Sequence, residues 1–572
     1  MKKVWKGFAA AVSAAAIAAT GFIGVNAANA VEVSVKPSSG TNADMTKNTF
    51  KIYPIFDADY SVSNGKLVIA NVSGFATGVS SDFLSKVQAI TIGTGESAKH
   101  PFENCADAEA VAAVLKDETK NSAIAKAFAK VAATNKGTAV SSDTLPLGYY
   151  VIVDETTNTT NGNTTNNFPV LFANITKDLA TVKIDLKTDI PTIEKKVYEG
   201  EDNNNTSGST GLPDAKADKW NDAADHEIGE VVYFKLNITV GDMTYYDTYN
   251  LKAWDELSAG LTFVKNPAPV ITSTRTTGLA ENWQPTASAT GQQVTWDFGD
   301  IKAKGFQTGD IITIRYGAKL NENAVVGTEQ DGIGNPNEAW LEYSNNPNST
   351  GTGTTEKDKV TVFTYNIDGT KVDVDDKETK LSGAEFILYK MVGTTKYCRN
   401  FTANTWNALT SEPTASTESG AYVKTTDQNG KIGDIKGVET GTYYLKEIKA
   451  PEGYNLPKDP FTVEVKGYRK AQTGETGTTI TVGKGDSAQT FENMIEVSNG
   501  NMTADSQKIE VFTVKVGDYT TANNGAYTIG NAKGTNLPET GGMGTTMLYV
   551  AGGAIVLIAG IGMAVALRRR QA

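Results

Sequence analysis

The side chains that usually carry enzyme chemistry are scarce in this 572-residue chain. Its two histidines, His100 and His226, have no partner at metal-ligand spacing, and the motifs HExxH, paired CxxC, P-loop and GxSxG are absent. Cys105 and Cys398 lie about 290 residues apart, which predicts two independent thiols, one or both buried, rather than a disulfide framework. The sequence therefore predicts no metal, no cofactor and no conventional hydrolase, and it places His226 in a solvated loop.

The C-terminal end carries a more specific pattern. It begins with the pentapeptide Leu537-Pro538-Glu539-Thr540-Gly541. The range Leu548 to Leu567 then has 20 residues without a charge, and three arginines follow it. About 20 apolar residues in a helix span the ~30 Å hydrocarbon core of a bilayer, and arginines beyond such a helix stay in the cytoplasm. The pattern predicts a C-terminal transmembrane helix with a basic tail.

This order of elements resembles the sorting signal that sortase transpeptidases of Gram-positive bacteria cut between Thr and Gly of LPXTG. The resemblance implies that residues 537–572 are a sorting signal, cleaved after Thr540. An ordinary single-span anchor that happens to contain LPETG is the alternative.

The first 30 residues have the organisation of a secretory signal peptide. A basic segment with three lysines precedes the Ala-rich apolar stretch Phe8 to Val25. Ala28-Asn29-Ala30 then offers the small-x-small site that a signal peptidase accepts, so the mature chain is expected to start at Val31. We expect an exported chain that is held by its tail and then transferred to something outside the cell.

The charge balance limits the possible partners. The formal net charge is −12, and removal of both basic ends would make the mature chain more acidic still. Such a surface suits solubility outside the cell and excludes nucleic acid, which requires basic patches.

Alternating apolar and polar residues dominate the mature chain, as in 231–240 and 311–316. Strands of this type, separated by Gly, Asn, Asp and Thr turns, predict an all-β protein of antiparallel sandwiches. Ala106 to Ala133 differs, because its apolar residues have helical spacing. Breaks near 187 and 360 divide the mature chain into three predicted domains, 31–186, 187–360 and 361–536, the first with some helix.

Motifs in the second predicted domain resemble the fimbrial domain that forms an internal Lys–Asn isopeptide bond. They are Pro191-Thr192-Ile193-Glu194-Lys195-Lys196-Val197, Asp255-Glu256-Leu257-Ser258-Ala259-Gly260-Leu261-Thr262-Phe263 and Asn337-Glu338-Ala339-Trp340-Leu341-Glu342-Tyr343. The resemblance implies that Lys195 is the nucleophile, Asn337 the electrophile and Asp255 the acid. Lys196 and Glu256 are the alternatives, because successive residues of a strand face opposite sides.

The third predicted domain resembles Cna B-type domains of pilins. It opens with Lys371-Val372-Asp373, and Tyr444-Leu445-Lys446-Glu447-Ile448-Lys449-Ala450-Pro451-Glu452-Gly453-Tyr454 resembles their E-box. This resemblance implies a second bond, made by Lys371 and Asn531 with Glu447 as the acid, and Asn493 is the alternative partner. The chain as a whole resembles sortase-assembled major (backbone) pilins, which implies tandem Ig-like (Cna A/B-type) β-sandwiches.

Burial can drive this chemistry. A free lysine has a pKa near ~10.4, so a neutral amine at pH 7 costs about 4.6 kcal/mol. Desolvation disfavours the ammonium form, and it keeps a neighbouring carboxyl protonated so that this acid can polarise the amide oxygen and carry protons. A buried Lys, acid and Asn would act as a single-turnover catalyst that releases ammonia.

The resemblance also implies polymerisation. A sortase would join Thr540 to a lysine of the next subunit, which in pilins lies in a Tyr-Pro-Lys-Asn motif between the first two domains. That tetrapeptide is absent here, and Lys187 occupies the equivalent junction, with Lys183 as the alternative. The implied partners are pilus-specific and housekeeping sortases, identical subunits, ancillary or tip pilins, peptidoglycan and a host surface ligand.

Two other functions share some of these features. A monomeric wall-anchored adhesin or ancillary pilin would also carry LPETG and sandwiches, but it needs no junction lysine. A wall-anchored enzyme would need a convergent catalytic motif, and the sequence shows none. The sequence therefore favours a structural backbone subunit on the surface of a Gram-positive cell.

Overall fold

The structure is a computed structural model of the chain. It describes residues 32–37, 48–63, 66–93, 95–116, 118, 122–140, 145–156, 170–175, 181–186, 189–200, 211–217, 219–327, 334–347, 350–409, 411–413, 421–433, 435–483, 488–497, 511–516, 519–522, 526–534 and 549–550. Strands dominate these residues and helices are few, which confirms the all-β prediction.

Residues before 187 combine small sheets with helices. The strands are β1 (Glu32–Pro37), β2 (Phe50–Pro54), β3 (Phe56–Ser63), β4 (Lys66–Phe75), β5 (Gly148–Asp154), β6 (Leu171–Ile175) and β7 (Thr181–Leu186). The helices are α1 (Phe83–Gln88), α2 (Ala108–Lys116) and α3 (Ala123–Thr134), and Gly95–Ser97 forms a 3-10 turn. β2, β5 and β6 form one antiparallel sheet, β3 and β4 form a hairpin, and β1 pairs with β7 in parallel. The apolar faces of β2 to β6 share a core with the helices.

The helical segment predicted from 106 to 133 is confirmed as α2 and α3. Each helix begins at a polar side chain that accepts a backbone N–H of its first turn. Asp107 Oδ1 accepts from Ala110 N at 2.9 Å, and Ser122 Oγ accepts from Ala125 N at 3.0 Å. These acceptors satisfy donors that have no partner within the helix.

Residues 189–363 form two facing sheets. The strands are β8 (Thr192–Tyr198), β9 (Trp220–Asn221), β10 (Ala223–Asp225), β11 (Val231–Thr239), β12 (Asn250–Leu257), β13 (Leu261–Val264), β14 (Val270–Ser273), β15 (Ser288–Thr290), β16 (Gln293–Asp300), β17 (Ile311–Leu320), β18 (Asn335–Ser344), β19 (Thr352–Thr354) and β20 (Asp358–Phe363). One sheet has the order β13-β17-β11-β8-β9, with β14 on β17. The other has the order β10-β20-β18-β12-β16-β15, with β19 on β18.

A single apolar core lies between these two sheets. Leu236 on β11 and Tyr316 on β17 contribute from one sheet, and Trp296 on β16 and Leu341 on β18 contribute from the other. The rings of Trp296 and Tyr316 lie 5.1 Å apart, so the sheets are in direct contact. This packing is that of a β-sandwich.

The remaining strands also build two sheets. They are β21 (Tyr365–Asp373), β22 (Glu385–Val392), β23 (Thr395–Asn400), β24 (Thr405–Ala408), β25 (Lys424–Thr425), β26 (Ile435–Val438), β27 (Gly441–Lys449), β28 (Phe461–Lys470), β29 (Thr478–Val482), β30 (Gln489–Glu496), β31 (Val511–Val516), β32 (Tyr519–Ala522), β33 (Ala526–Asn531) and β34 (Tyr549–Val550). The four-stranded sheet is β26-β21-β33-β34, in which β21 and β33 run parallel. The ten-stranded sheet has the path β24-β23-β22-β27-β28-β30-β29, with β25, β31 and β32 beside it. One core joins the two sheets.

One core lies before the break near 187, the second lies between the breaks near 187 and 360, and the third lies after the break near 360. The domain boundaries themselves stay predictions. One exception crosses the second break, because Ala223 on β10 packs into the core of the last two sheets. Both cysteines are buried and free, which confirms the prediction of two independent thiols.

The loop after β10 is a junction between the two sandwiches. His226 is 2% exposed, and its Nε2 lies 2.9 Å from the carbonyl oxygen of Tyr198. The prediction of a solvated histidine is therefore wrong, because the loop docks against residues beyond 363 rather than facing water. The next residue, Glu227, is fully buried.

Glu227 connects four side chains of the last two sheets. Its carboxylate accepts from Lys390 Nζ at 3.2 Å, Arg399 Nη1 at 3.3 Å and Tyr443 Oη at 3.2 Å, and also from Trp406 Nε1. Arg399 is only 1% exposed, so Glu227 is the counter-charge of a buried guanidinium. Glu227 lies in one sandwich and Arg399 in the other, so their buried ion pair holds the two sandwiches together at this point.

We expect Glu227→Ala to loosen this junction strongly. The change leaves the buried Arg399 without its carboxylate, and breaking a buried ion pair on one side costs about 3–5 kcal/mol. Calorimetry should show an earlier unfolding transition. Glu439→Ala is the matched control, because Glu439 also contacts Lys390 but is 25% exposed, and it should lose about 1 kcal/mol or less. Equal losses for the two variants would contradict this account of the junction.

Both predicted targeting ends lie largely outside the described residues. The signal peptide, residues 1–30, lies outside them, and so does the predicted membrane span apart from Tyr549 and Val550, which form β34 beside β33. No helix within the described ranges is long and apolar enough to cross a membrane. The C-terminal transmembrane helix stays a prediction.

Candidate functional site

Two consecutive lysines on β8 have opposite environments. Lys195 is completely buried between the sheets, whereas Lys196 is partly exposed and its Nζ lies 2.6 Å from Asp222 Oδ1. The difference follows from strand alternation, which turns successive side chains to opposite faces. Lys195, the first choice from the sequence, is therefore the lysine that faces the core.

The facing sheet contributes an acid and an amide to the same place. Asp255 on β12 and Asn337 on β18 are completely buried. β12 and β18 are antiparallel neighbours, and Asn337 lies opposite Leu257, two residues from Asp255, so both side chains project from the same face. The alternative acid Glu256 points outward and pairs with Lys357 at 3.0 Å.

A tyrosine hydroxyl stands at the centre of this group. Lys195 Nζ donates to Asp255 Oδ2 and, at 2.7 Å, to the hydroxyl oxygen of Tyr316. That hydroxyl donates to Asp255 Oδ2 at 2.6 Å and accepts from Asn337 Nδ2 at 3.0 Å. The structure thus brings together Lys195, Asp255 and Asn337, and it adds Tyr316 on β17. We call these four residues the first cluster.

The walls of the first cluster are aromatic. The amine lies 5.2 Å from the ring centroid of Phe234 and 5.3 Å from that of Tyr316. Desolvation lowers the pKa of the Lys195 amine and raises the pKa of the Asp255 carboxyl. Both directions favour the uncharged amine beside a protonated acid, which is the state that nucleophilic attack requires.

The last two sheets hold a second group of the same chemical types. Lys371 on β21 and Asn531 on β33 come from adjacent parallel strands, in which Asp373 lies opposite Asn531. Glu447 comes from β27 in the facing sheet. All three are at most 1% exposed, and we call them the second cluster.

Each pair in the second cluster makes a direct hydrogen bond. Lys371 Nζ donates to Glu447 Oε2 at 2.6 Å and to Asn531 Oδ1 at 2.6 Å, and Asn531 Nδ2 donates to Glu447 Oε1 at 2.8 Å. Desolvation lowers the pKa of Lys371 to about 8 and raises the pKa of Glu447. The acid therefore touches both the attacking amine and the amide nitrogen that would leave.

The alternative amide lies outside the second cluster. Asn493 on β30 is exposed, has a positive φ of 59° and accepts from the backbone N–H of Gly477 at 3.2 Å. It lies at an irregularity in the pairing of β29 with β30, where a residue in the left-handed region is commonly found. The structure thus groups Lys371 with Asn531 and not with Asn493.

Both clusters have the parts for acyl transfer from an amide to an amine. A buried amine with a lowered pKa can attack the side-chain carbonyl carbon of asparagine, and the acid can move the protons. The two clusters would join their strands differently. The lysine and asparagine of the first cluster come from two facing sheets, whereas those of the second cluster come from neighbouring strands of one sheet.

Sequence reasoning missed Tyr316. The alternation of 311–316 contained a signal, because it turns residues 312, 314 and 316 to one face of the strand. A tyrosine on a core-facing position needs a partner for its buried hydroxyl, and such a partner suggests a polar group nearby.

The remaining predicted functional residues belong to the sorting signal and to the junction between the first two predicted domains. The sorting signal 537–541 and the junction lysine Lys187 lie outside the described residues. Lys183 belongs to β7, which pairs with β1. Their predicted roles stay predictions. Within the described ranges, no group of three or more His, Cys, Asp or Glu side chains could hold a metal ion.

Residues 365–479 match the SpaA family, described as a prealbumin-like fold domain. This range begins at β21 and contains Lys371 and Glu447. The trypsin-resistant surface T6 protein of Streptococcus pyogenes serotype M6 is 31% identical over 291 residues, which are 45% of this chain and 48% of the T6 protein. The match thus spans about half the length of this relative, and the chain is its homologue over that part.

Solved structures of Gram-positive pilins are also similar. The T6 backbone pilin of serotype M6 Streptococcus pyogenes has a TM-score of 0.44 at 19% identity, covering 88% of this chain and 98% of that one. The full-length major pilin RrgB of Streptococcus pneumoniae has a TM-score of 0.39 at 15% identity, covering 70% and 85%. The full-length major pilin SpaD of Corynebacterium diphtheriae has a TM-score of 0.37 at 18% identity, covering 74% and 88%.

Proposed function

We propose that this chain, which contains a SpaA-type prealbumin-like segment and is a homologue of the T6 surface protein, is the backbone subunit of a covalently polymerised surface pilus. The observation that carries the proposal is the pair of buried Lys, acid and Asn clusters, one in each of the two large sandwiches. Each would form one internal isopeptide bond. The protein is then a structural subunit, and its own chemistry is a single turnover at each cluster.

The position of each bond suits a protein that carries tension. A bond between Lys371 and Asn531 joins β21 to β33, 160 residues apart, where the last sandwich begins and where it ends. A bond between Lys195 and Asn337 joins β8, where the first large sandwich begins, to β18 in its facing sheet. Force along the chain would then bypass residues 372–530 and 196–336, so that the hydrogen-bond ladders between them carry little load.

The bond-forming reaction can be followed in the second cluster. The neutral amine of Lys371 attacks the side-chain carbon of Asn531 while protonated Glu447 polarises the amide and transfers a proton to its nitrogen. The Nζ–Cγ bond forms, the Cγ–Nδ2 bond breaks and ammonia leaves with the proton from Glu447, while one N–H proton of the amine passes to Glu447 and restores its protonated form. Burial supports the step by holding the amine uncharged.

Polymerisation would use the predicted sorting signal of one subunit and the predicted junction lysine of another. A sortase cysteine attacks the Thr540 carbonyl and releases Gly541 with the membrane helix. The amine of Lys187 from another subunit then resolves the thioester and gives a Thr540–Lys187 isopeptide bond. Repetition of this head-to-tail contact does not close, so it produces a fibre. The last acyl group passes to peptidoglycan through a housekeeping sortase.

The finer fold and location belong to the same proposal. The two large sandwiches would be Ig-like domains of Cna type, and the C-terminal residues would cross the membrane before sorting. The product would be a wall-anchored pilus that supports adhesion through a host ligand or through ancillary and tip pilins. A monomeric wall-anchored adhesin is the second candidate, since it would share LPETG and the sandwiches.

Thr540→Ala should abolish the ladder of SDS-resistant multimers in wall extracts of the native host. The change disrupts the LPETG motif at the residue whose carbonyl the sortase cysteine would attack, so no subunit can be joined through its C-terminal end. Lys187→Ala should have the same effect on the ladder but should leave the monomer attached to the wall, because its own sorting signal is intact. Immunoblots of wall and membrane fractions measure both results.

Lys183→Ala is the matched control, since Lys183 is the alternative nucleophile of the same segment. A ladder lost in Lys183→Ala and kept in Lys187→Ala would move the nucleophile to Lys183. A wild-type chain that is wall-bound but never multimeric would contradict the backbone role and favour the monomeric adhesin.

A further inference from the structure

The hydroxyl of Tyr316 touches every reacting group of the first cluster. It lies 2.7 Å from Lys195 Nζ, 2.6 Å from Asp255 Oδ2 and 3.0 Å from Asn337 Nδ2. A tyrosine hydroxyl has one donor and two acceptor positions, and these three contacts use all of them. The hydroxyl is therefore fixed between the acid and the nitrogen that would leave.

We propose that Tyr316 is a catalytic residue of the Lys195–Asn337 reaction and relays a proton from Asp255 to the leaving nitrogen of Asn337. This inference rests on the proposed function, because it assumes that the Lys195–Asn337 bond forms.

The second cluster distributes the contacts of its acid differently from the first. There, the two oxygens of Glu447 divide the work, since Oε2 accepts from the amine at 2.6 Å and Oε1 accepts from Asn531 Nδ2 at 2.8 Å. Aspartate is one methylene shorter than glutamate. In the first cluster, Asp255 Oδ2 accepts from both Lys195 and Tyr316, and Asp255 Oδ1 has no hydrogen-bond partner among the described residues. The hydroxyl makes the defined 3.0 Å hydrogen bond with Nδ2, whereas Asp255 interacts with Asn337 more loosely than Glu447 does with Asn531.

The relay balances protons without an outside reagent. As Lys195 Nζ bonds to the side-chain carbon of Asn337, one N–H proton passes to the carboxyl of Asp255. Once the carbon is tetrahedral and Nδ2 has become basic, the hydroxyl of Tyr316 turns its proton from Asp255 to Nδ2 and takes a proton from Asp255, the Cγ–Nδ2 bond breaks, and ammonia leaves. Tyr316 and Asp255 end in their starting protonation states, and nothing is oxidised or reduced. Burial raises the pKa of Tyr316 well above its usual value, which keeps the hydroxyl protonated before the reaction.

Tyr316→Phe in the full chain tests the relay. The variant keeps the ring that packs on Phe234 and Trp296 and removes only the hydroxyl. After tryptic digestion, mass spectrometry measures the Lys195–Asn337 peptide and the Lys371–Asn531 peptide in the same molecules at set times after synthesis. We expect the first bond to form at least ~10²-fold more slowly, as for loss of a general acid–base group, and the second to be unchanged.

Two further variants separate relay from packing. Tyr249→Phe removes a hydroxyl from an equally buried tyrosine of the same core and should leave both bonds intact. Asp255→Glu in the Tyr316→Phe background should restore part of the first bond, because the longer acid can reach Nδ2 as Glu447 does. A merely structural tyrosine would not be rescued in this way.

The outcomes are distinct. A Tyr316→Phe chain that forms the first bond at the wild-type rate overturns the relay. The relay is also overturned if the bond is lost both in Tyr316→Phe and in the Tyr316→Phe, Asp255→Glu double variant, provided that Asp255→Glu alone still forms the Lys195–Asn337 bond. If the wild-type chain lacks the Lys195–Asn337 peptide, the proposed crosslink of this sandwich has failed, and the relay fails with it.

Discussion

Lys195→Met is expected to remove the bond between β8 and β18 and to lower the unfolding temperature of that sandwich by roughly 10–20 °C. The bond would close a loop of more than 100 residues, which is worth about 5 kcal/mol by the loop-entropy estimate for disulfides. Methionine has a similar length and suits the apolar walls of the first cluster. Asp255 would keep its hydrogen bond from Tyr316, and burial, which raises the pKa of this carboxyl, favours its uncharged form.

Calorimetry and intact mass measure the effect together. The variant should retain the ammonia that the wild type loses, after correction for the substitution itself. Lys196→Met is the matched control, because this neighbour lies on the same strand but faces Asp222 at the surface. It should keep the bond and shift the transition little. A bond lost in Lys196→Met and kept in Lys195→Met would show that the nucleophile had been misassigned.

Glu447→Gln is expected to prevent the Lys371–Asn531 bond with a similar loss of stability, about 5 kcal/mol. Glutamine keeps the shape of the side chain but cannot exchange a proton with the attacking amine or the leaving nitrogen, so the bond-forming step loses its acid–base catalyst. The bond of the first cluster should still form, which makes the other half of the molecule an internal control. Peptide mapping and calorimetry measure both results.

Glu452→Gln is the matched control for that change, since Glu452 is an exposed acid a few residues beyond β27. It should form both bonds at normal yield. A Glu447→Gln chain with a full yield of the Lys371–Asn531 peptide would contradict the role of the acid, whereas a chain that lost both bonds would indicate a general folding defect.

The sequence predicted the residues of the clusters better than it predicted their surroundings. Alternation reduced the nucleophile to Lys195 or Lys196, and only the position of β8 against the facing sheet selects Lys195. Asn531 and Asn493 both follow strand-like segments, and the pairing of β33 with β21 distinguishes them. Pairing between strands that are distant in sequence depends on the whole sandwich, so a local pattern cannot supply it.

Sequence reasoning missed two features, and both depend on contacts between segments that are distant in the sequence. Tyr316 became part of the first cluster because β17 lies two strands from β8 in the sheet, which is a property of sheet order rather than of local sequence. His226 and Glu227 read as a polar loop, yet they are buried because a second sandwich covers them. Contacts between sandwiches leave little trace in the periodicity of either one.

The intact mass of a recombinant fragment from Val31 to Asn536 tests the central claim most directly, because it needs no sortase. Each Lys–Asn bond releases one ammonia, so two bonds predict a mass about 34 Da below that of the unmodified sequence. Peptide mapping should then find Lys195 joined to Asn337 and Lys371 joined to Asn531. An unshifted mass would contradict both crosslinks and leave a chain better explained as a sortase-anchored adhesin.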